Sequence, residues 1–252
     1  MMVDIILHGC NGRMGQMITG LVADDPDARI VAGIDVAGGQ KNDYPVYTSV
    51  EDCDISADVV IDFGASAAVT ALLDWCVSKQ IPCVECTTGL SEDQLAHLNE
   101  CSEKVAILKS ANMSVGVNVL MKLLKESARV FAEAGFDVEI VEKHHRMKVD
   151  APSGTALALA DSINEAMDNE YDYVYDRSQV RQKRGNREMG ISAVRGGTIV
   201  GDHDVIFAGQ DEVVTFSHRA YSRAVFGKGA IQAAKFIKGQ PAGLYTMQEV
   251  IG

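Results

Sequence analysis

The 252 residues are 47% hydrophobic and 23% charged, an ordinary globular balance with chain enough for one large or two modest domains. A net charge of −12 supplies no diffuse positive field for nucleic acid or an anionic membrane, yet a small anion that feels a local cluster stays compatible. No stretch approaches the roughly 20 apolar residues of a membrane span, and Asp4 interrupts the N-terminal VDIILHG run in a way a signal peptide would not; a cytoplasmic enzyme or binding protein is the expectation.

Residues 3–9 read as a buried strand ended by glycine, and Met14, Met17, Ile18, Leu21 and Val22 follow at helical spacing. Further strands are predicted at 29–35, 58–63, 82–86 and 105–108. Helical runs through Val69, Leu72, Leu73 and Cys76, and over SEDQLAHLNECSEK, separate the last three. Such regular alternation over about the first 110 residues implies a parallel sheet covered on both faces. The pattern then changes. Residues 115–134 read as one long helix and 136–142 as a strand, followed by a helix with Ala156, Ala160, Ile163 and Met167 on one face. ISAVRGG, TIVGDHDVIFA and DEVVTFSHRA alternate apolar and polar residues, which predicts an antiparallel or mixed sheet with one face exposed or paired with another subunit. The chain closes on a helix-like AVFGKGAIQAAKFIKG. We read a first domain over 1–113, completed by 221–252, and a second over 114–220.

After the first strand comes Gly9-Cys10-Asn11-Gly12-Arg13-Met14-Gly15, directly ahead of the first helix. Gly9 suits a tight turn, Gly12 a close approach of backbone to a diphosphate, and Gly15 close helix–strand packing. The helix start offers N–H groups and a partial positive charge to phosphate, and Arg13 adds a cation. Asp35 ends the second strand, where a carboxylate accepts hydrogen bonds from a ribose. It would repel a 2′-phosphate, and Val36, Ala37, Gly38 and Gly39 bring no arginine to hold one. NADH is therefore expected over NADPH, with Lys41 the one nearby cation. Cys86-Thr87-Thr88-Gly89 and Ser110-Ala111-Asn112-Met113 end the next strands in the same topological position.

In Glu142–Ala160, EKHHRMKVDAPSGTALALA, two histidines and the cations Lys143, Arg146 and Lys148 precede a Pro-Ser-Gly-Thr turn. Pro152 suits the first turn of a helix and Ser153 or Thr155 its cap. Such a helix start flanked by cations is a ready carboxylate site, with histidine able to give a proton near neutral pH. A solvated basic loop fits the residues as well. A metal site fits them poorly, since adjacent histidines rarely point the same way and no HExxH spacing exists. Cys83 and Cys86 form a lone CxxC inside an apolar run, which reads as buried cysteine rather than a metal or redox pair; no metal is expected.

GCNGRMG at 9–15, Cys-Thr-Thr-Gly at 86–89, Ala-Asn-Met-Ser-Val-Gly at 111–116, VRGGTIVGDH at 194–203 and above all HHRMKVDAPSGTA at 144–156 together make a sequence that resembles the 4-hydroxy-tetrahydrodipicolinate reductase (dihydrodipicolinate reductase) family over essentially its whole length. The resemblance implies a Rossmann-like α/β domain completed by the C-terminal segment, plus a smaller mixed α/β domain for substrate binding and tetramerisation. It implies hydride transfer from NADH or NADPH to ring C4 of a cyclic dicarboxylate and protonation of the neighbouring carbon. His144 would be the proton donor and Lys148 the second catalytic residue. His145, Ser153, Gly154 and Thr155 would bind the substrate. Gly9 to Met14, Asp35, Cys86 to Thr88 and Ser110 to Met113 would line the cofactor. At two places the chain departs from the family's pattern. Gly64-Ala65-Ser66 follows DF where Thr/Ser-x-Pro is common, and Cys86 stands where many members have glycine.

Overall fold

The computed structural model describes residues 2–37 and 42–252; Gly38, Gly39 and Lys41, which entered the cofactor argument, lie outside the described residues. The chain divides into two compact units, one of Met1–Ser114 with Ala224–Gly252 and one of Val115–Arg223.

In the first unit the chain runs β1 (Val3–His8), α1 (Arg13–Ala23), β2 (Ala28–Ile34), β3 (Val46–Tyr47), β4 (Val59–Asp62), α2 (Val69–Lys79), β5 (Cys83–Glu85), α3 (Glu92–Ser102) and β6 (Ala106–Lys109). The second unit contributes α4 (Val115–Glu133), β7 (Asp137–His144), α5 (Gly154–Ala166), β8 (Asp172–Val174), β9 (Glu188–Arg195), β10 (Gly201–Ala208) and β11 (Val213–Ala220). The first unit then resumes with α6 (Ala224–Ile237), β12 (Gly243–Tyr245) and α7 (Met247–Ile251).

The first unit's sheet has the order β12-β6-β5-β4-β1-β2-β3, and every pairing in it is parallel. Its central strands are apolar on both faces because helices cover both. Leu72, Leu73, Cys76, Leu98 and Cys101 of α2 and α3 pack against Ile6, Val60, Cys83 and Ile107, while α1 and α6 pack on each other and α6 touches β1, β4, β5 and β6. It is a Rossmann-like layer in which every strand's carboxyl end opens on one edge, so that edge is where a ligand meets loops.

The second unit holds a mixed sheet ordered β11-β10-β7-β9-β8. β10 runs antiparallel to β7 and β11, and β9 runs parallel to β7 and β8. β7 alternates half-buried and buried residues along its whole length, with Val138 and Ile140 sharing a core with Leu120, Leu124, Leu159, Ile163 and Phe207. Strict alternation then puts Glu142 and His144 on that same inward face. β7 continues two residues past the predicted end, because Lys143 and His144 keep pairing with β9 at Val194 and Arg195. Pro152 lies outside the helix rather than in its first turn; Ser153 is the N-cap and α5 begins at Gly154.

Candidate functional site

At the carboxyl edge of the first unit's sheet, β1 gives way to the glycine loop. Gly9 has φ +75°, and a Cβ there would lie 2.5 Å from the Phe63 carbonyl oxygen at the end of β4. A Cβ on Gly15 would sit 2.2 Å from the Gly9 carbonyl oxygen. Gly15 is therefore what lets α1 lie against the turn that ends β1. Gly12 is the extended N-cap of α1 and supplies no side chain to the cap, while Arg13 is exposed. That leaves the helix start open to an anion. Cys10 is fully buried against Gly33, and burial with the nearby Asp35 charge pushes its thiol up to about 11. Any part it plays at a cofactor falls to its backbone. Met14 is half-buried.

Asp35 does the work of a turn residue as well: Oδ2 accepts the Asn11 N–H at 2.9 Å and Oδ1 the Ala37 N–H at 3.0 Å. Each carboxylate oxygen keeps a second lone pair, so fixing the glycine loop and accepting a ribose hydroxyl are compatible.

Sequence reasoning missed what holds the neighbouring loops. His8, Asp62 and Glu85 are all buried at the ends of β1, β4 and β5. Asp62 pairs with His8 Nδ1 at 2.5 Å, accepts the Gly64 N–H at 2.7 Å and accepts the Thr87 hydroxyl at 2.9 Å. One carboxylate thus ties three loops together. Burial works to raise its pKa, but the His8 and Gly64 hydrogen bonds win and hold it below the usual carboxylate range. Glu85 goes the other way. Burial and the Asp62 charge push it up to about 9, so it is a neutral acid at pH 7, with Oε1 accepting the Thr87 N–H at 2.7 Å. Lys109 donates to the Thr87 carbonyl at 2.7 Å. Thr87 is consequently a locked residue, whereas Thr88 is exposed and Cys86 half-buried. In the last loop Ala111 is exposed and Ser110 half-buried, while Asn112 and Met113 are buried; Asn112 Oδ1 accepts the Ser114 N–H at 2.7 Å.

The second unit organises its site around Glu142. This buried carboxylate accepts two hydrogen bonds from Arg195 at 2.7 Å each, one from the Ser153 N–H at 3.0 Å, and meets His144 Nδ1 at 2.6 Å. Burial opposes its charge, but Arg195 and His144 overcome that and hold it ionised. An ionised Glu142 fixes the tautomer of His144: Nδ1–H donates to the carboxylate, and Nε2 is the nitrogen left to exchange a proton. Burial lowers the His144 pKa against the raising influence of Glu142. Behind it, His203 stacks edge-on at 5.1 Å between ring centroids. Its Nε2 lies 3.0 Å from the Ser153 hydroxyl, and burial drives its pKa down to about 4.

Ser153 is almost fully buried, with its oxygen shared between the Ala156 N–H of the cap and His203. Its side chain builds the helix start rather than presenting itself to a ligand. Gly154 is exposed and Thr155 half-buried in the first turn of α5. His145 is half-buried, and Lys148 Nζ pairs with Asp150 at 2.8 Å.

Glu142 was within reach of the sequence, two residues before His144 on an alternating strand. Arg195 and His203 were not, because only the order β10-β7-β9 brings their strands to either side of β7. Among the described residues all six cysteines are free.

Comparison with known proteins matches the two parts of the chain separately. Residues 3–113 match the family described as Dihydrodipicolinate reductase, N-terminus, and residues 116–251 its C-terminus counterpart. The chain is 51% identical over 255 residues to 4-hydroxy-tetrahydrodipicolinate reductase of Caldanaerobacter subterraneus subsp. tengcongensis, covering 100% of this chain and 99% of the relative. It is 47% identical over 248 residues to that of Clostridium tetani, covering 98% and 96%. Among solved structures, the dipicolinate-bound dihydrodipicolinate reductase from Paenisporosarcina sp. TG-14 superposes with a TM-score of 0.80 at 25% identity, covering 99% of each chain. With both of its parts matched and relatives this similar over their full length, the chain belongs to the dihydrodipicolinate reductase family of oxidoreductases.

Proposed function

We propose that this protein reduces 4-hydroxy-tetrahydrodipicolinate to tetrahydrodipicolinate with NAD(P)H, the step the family serves in lysine and diaminopimelate biosynthesis. The observation that carries the site assignment is the buried Glu142–His144 pair beside the capped start of α5. Loss of the 4-hydroxyl as water leaves a conjugated imine. A nicotinamide supplies hydride to ring C4, and the electron density left on the ring then needs a proton at the neighbouring carbon.

His144 is the donor: Glu142 holds Nδ1, so Nε2 delivers the proton, and a dianionic substrate nearby favours the imidazolium that burial alone disfavours. Lys148 exchanges its Asp150 partner for a substrate carboxylate. His145 and the Gly154-Thr155 helix start receive the carboxylates, where helix-end N–H groups and cations converge. The first unit holds the cofactor, with the diphosphate against Gly9–Met14 at the start of α1, the ribose on Asp35, and the nicotinamide end along Cys86–Thr88 and Ser110–Met113.

NADH is favoured over NADPH because Asp35 presents negative charge where a 2′-phosphate would lie. A homotetramer assembled through the second unit agrees with its edge strand β11, which shows alternating exposed residues including Val213. No helix among the described residues is long and apolar enough to cross a membrane, in keeping with a cytoplasmic enzyme.

The test is kinetic. His144→Gln and Lys148→Ala lower kcat by about 10²–10⁴-fold while the NADH dissociation constant stays unchanged. Full reductase activity in both variants refutes the assignment, and a higher kcat/KM with NADPH refutes the Asp35 argument.

A further inference from the structure

Two helices of the first unit bring an aspartate, a histidine and a cysteine together away from the loops described above. α2 and α3 pack side by side. Asp74 lies on α2, while His97 and Cys101 are one turn apart on α3 and share a face. Asp74 Oδ1 is 2.9 Å from His97 Nε2, and Cys101 Sγ is 3.5 Å from that same nitrogen. All three ligand atoms fall within 4.8 Å of one another.

The shared nitrogen is informative. In a nucleophilic Cys–His–Asp relay, thiol and carboxylate engage opposite ring nitrogens; here both face Nε2. An Nε2–H that donates to the carboxylate at 2.9 Å leaves the Cys101 sulfur, at 3.5 Å, only a weak share of the same proton. A cation at their common focus serves all three, and a mixed sulfur, nitrogen and oxygen set suits a zinc-class ion rather than magnesium or calcium.

We propose that Asp74, His97 and Cys101 form a binding site for a zinc-class divalent cation that ties α3 to α2. On binding, the Cys101 S–H bond breaks, its proton passes to solvent and a sulfur–metal bond forms. The His97 Nε2 lone pair and an Asp74 oxygen complete the protein ligands without oxidation or reduction, and water takes the fourth position. The Asp74 side chain is 63% exposed, so the ion enters from solvent, whereas Cys101 is 3% exposed and closes the inner side. Cys101 lies in the last turn of α3, just ahead of β6. The site is therefore at the amino edge of the parallel sheet, opposite the proposed cofactor loops.

The experiment titrates the full-length reduced protein with Co(II) as probe. One equivalent is expected to bind with a thiolate-to-cobalt charge-transfer band in the near ultraviolet, which one equivalent of Zn(II) removes. Cys101→Ser and His97→Gln abolish the band. Asp74→Asn, at a side chain too exposed to threaten the fold, weakens Co(II) binding by about 10-fold or more. Trp75, the single tryptophan, neighbours Asp74 and reports thermal unfolding. At a hundredfold excess over Kd, Zn(II) raises that Tm by roughly 5–10 °C in the wild type and by little in Asp74→Asn. A missing charge-transfer band, one that survives Cys101→Ser, or equal affinity in Asp74→Asn overturns the proposal. None of these readouts depends on reductase turnover.

Discussion

Replacing Glu142 with glutamine probes the electrostatics of the second unit's site. The buried carboxylate accepts from Arg195 twice at 2.7 Å, from His144 at 2.6 Å and from the Ser153 N–H at 3.0 Å. Glutamine keeps the volume and one carbonyl oxygen, but its NH2 must face a donor on Arg195 or His144. Two or three charge-assisted bonds are lost or inverted, at about 1.5–3 kcal/mol each. Because they share one group they do not add, and the scale for breaking a buried pair, about 3–5 kcal/mol, is the better guide. We expect a loss near 4 kcal/mol in the second unit. Hydrogen exchange at the β7, β9 and β10 amides measures it, since Trp75 belongs to the first unit. Adding Arg195→Met recovers part of the loss, because neither partner then faces an unmatched group. Glu142 also raises the His144 pKa, so its removal lowers it further and moves the alkaline limb of kcat/KM to lower pH. A Glu142→Gln protein within about 1 kcal/mol of wild type, with its pH profile unmoved, would refute this account.

Three further outcomes follow from groups held away from their usual behaviour. Glu85 has a folded pKa near 9 against an ordinary 4.5, so unfolding releases its proton between those values and stability falls as pH rises through the window. Glu85→Gln should flatten that slope in urea melts followed by Trp75 fluorescence; an unchanged slope counts against a neutral Glu85. His203, near 4 folded and 6.5 ordinarily, contributes stability above pH 6.5 that is lost on acidification towards pH 4, up to about 3 kcal/mol. Hydrogen exchange at pH 7 and pH 5 should show this loss in the wild type and much less of it in His203→Gln. Gly229→Ala would place a Cβ 1.6 Å from the Met113 carbonyl oxygen. The clash should cost about 3 kcal/mol and raise KM for NADH by displacing the loop at 110–113; an unaffected KM would detach that loop from the cofactor.

The parallel layer was legible because its strands are short apolar runs punctuated by glycine, and each helix between them carries its own periodicity. β7 was legible too, though not its last two residues, whose polar character hides the continued pairing with β9. The His144 segment stood out as a density of cations before a cap, yet composition alone left it balanced between a site and a solvated loop. The residues that give it direction come from far along the chain. Arg195 is 53 residues from Glu142 and His203 is 50 from Ser153; only strand order joins them. Asp62 illustrates the same point, since it lies inside the strand predicted at 58–63 and is the common partner of His8, Gly64 and Thr87. Buried polar networks assemble across strands, and a linear pattern of hydrophobicity carries no record of which strands become neighbours.

The first unit is discontinuous in the chain, and this has a consequence for the order of synthesis. Its sheet gains the β12 edge strand, and one of its faces gains α6, only from Ala224–Gly252. On the ribosome, residues 1–114 emerge with β6 unpaired on its outer side and the part of one apolar face that α6 covers bare, and they stay so until all of the second unit has been made. The second unit, contiguous in sequence, is free to finish first. The unit whose residues begin to emerge before those of the other thus completes its fold last. A message broken off after Arg223 would yield a finished second unit tethered to an open sheet edge, a product prone to pair with another like itself.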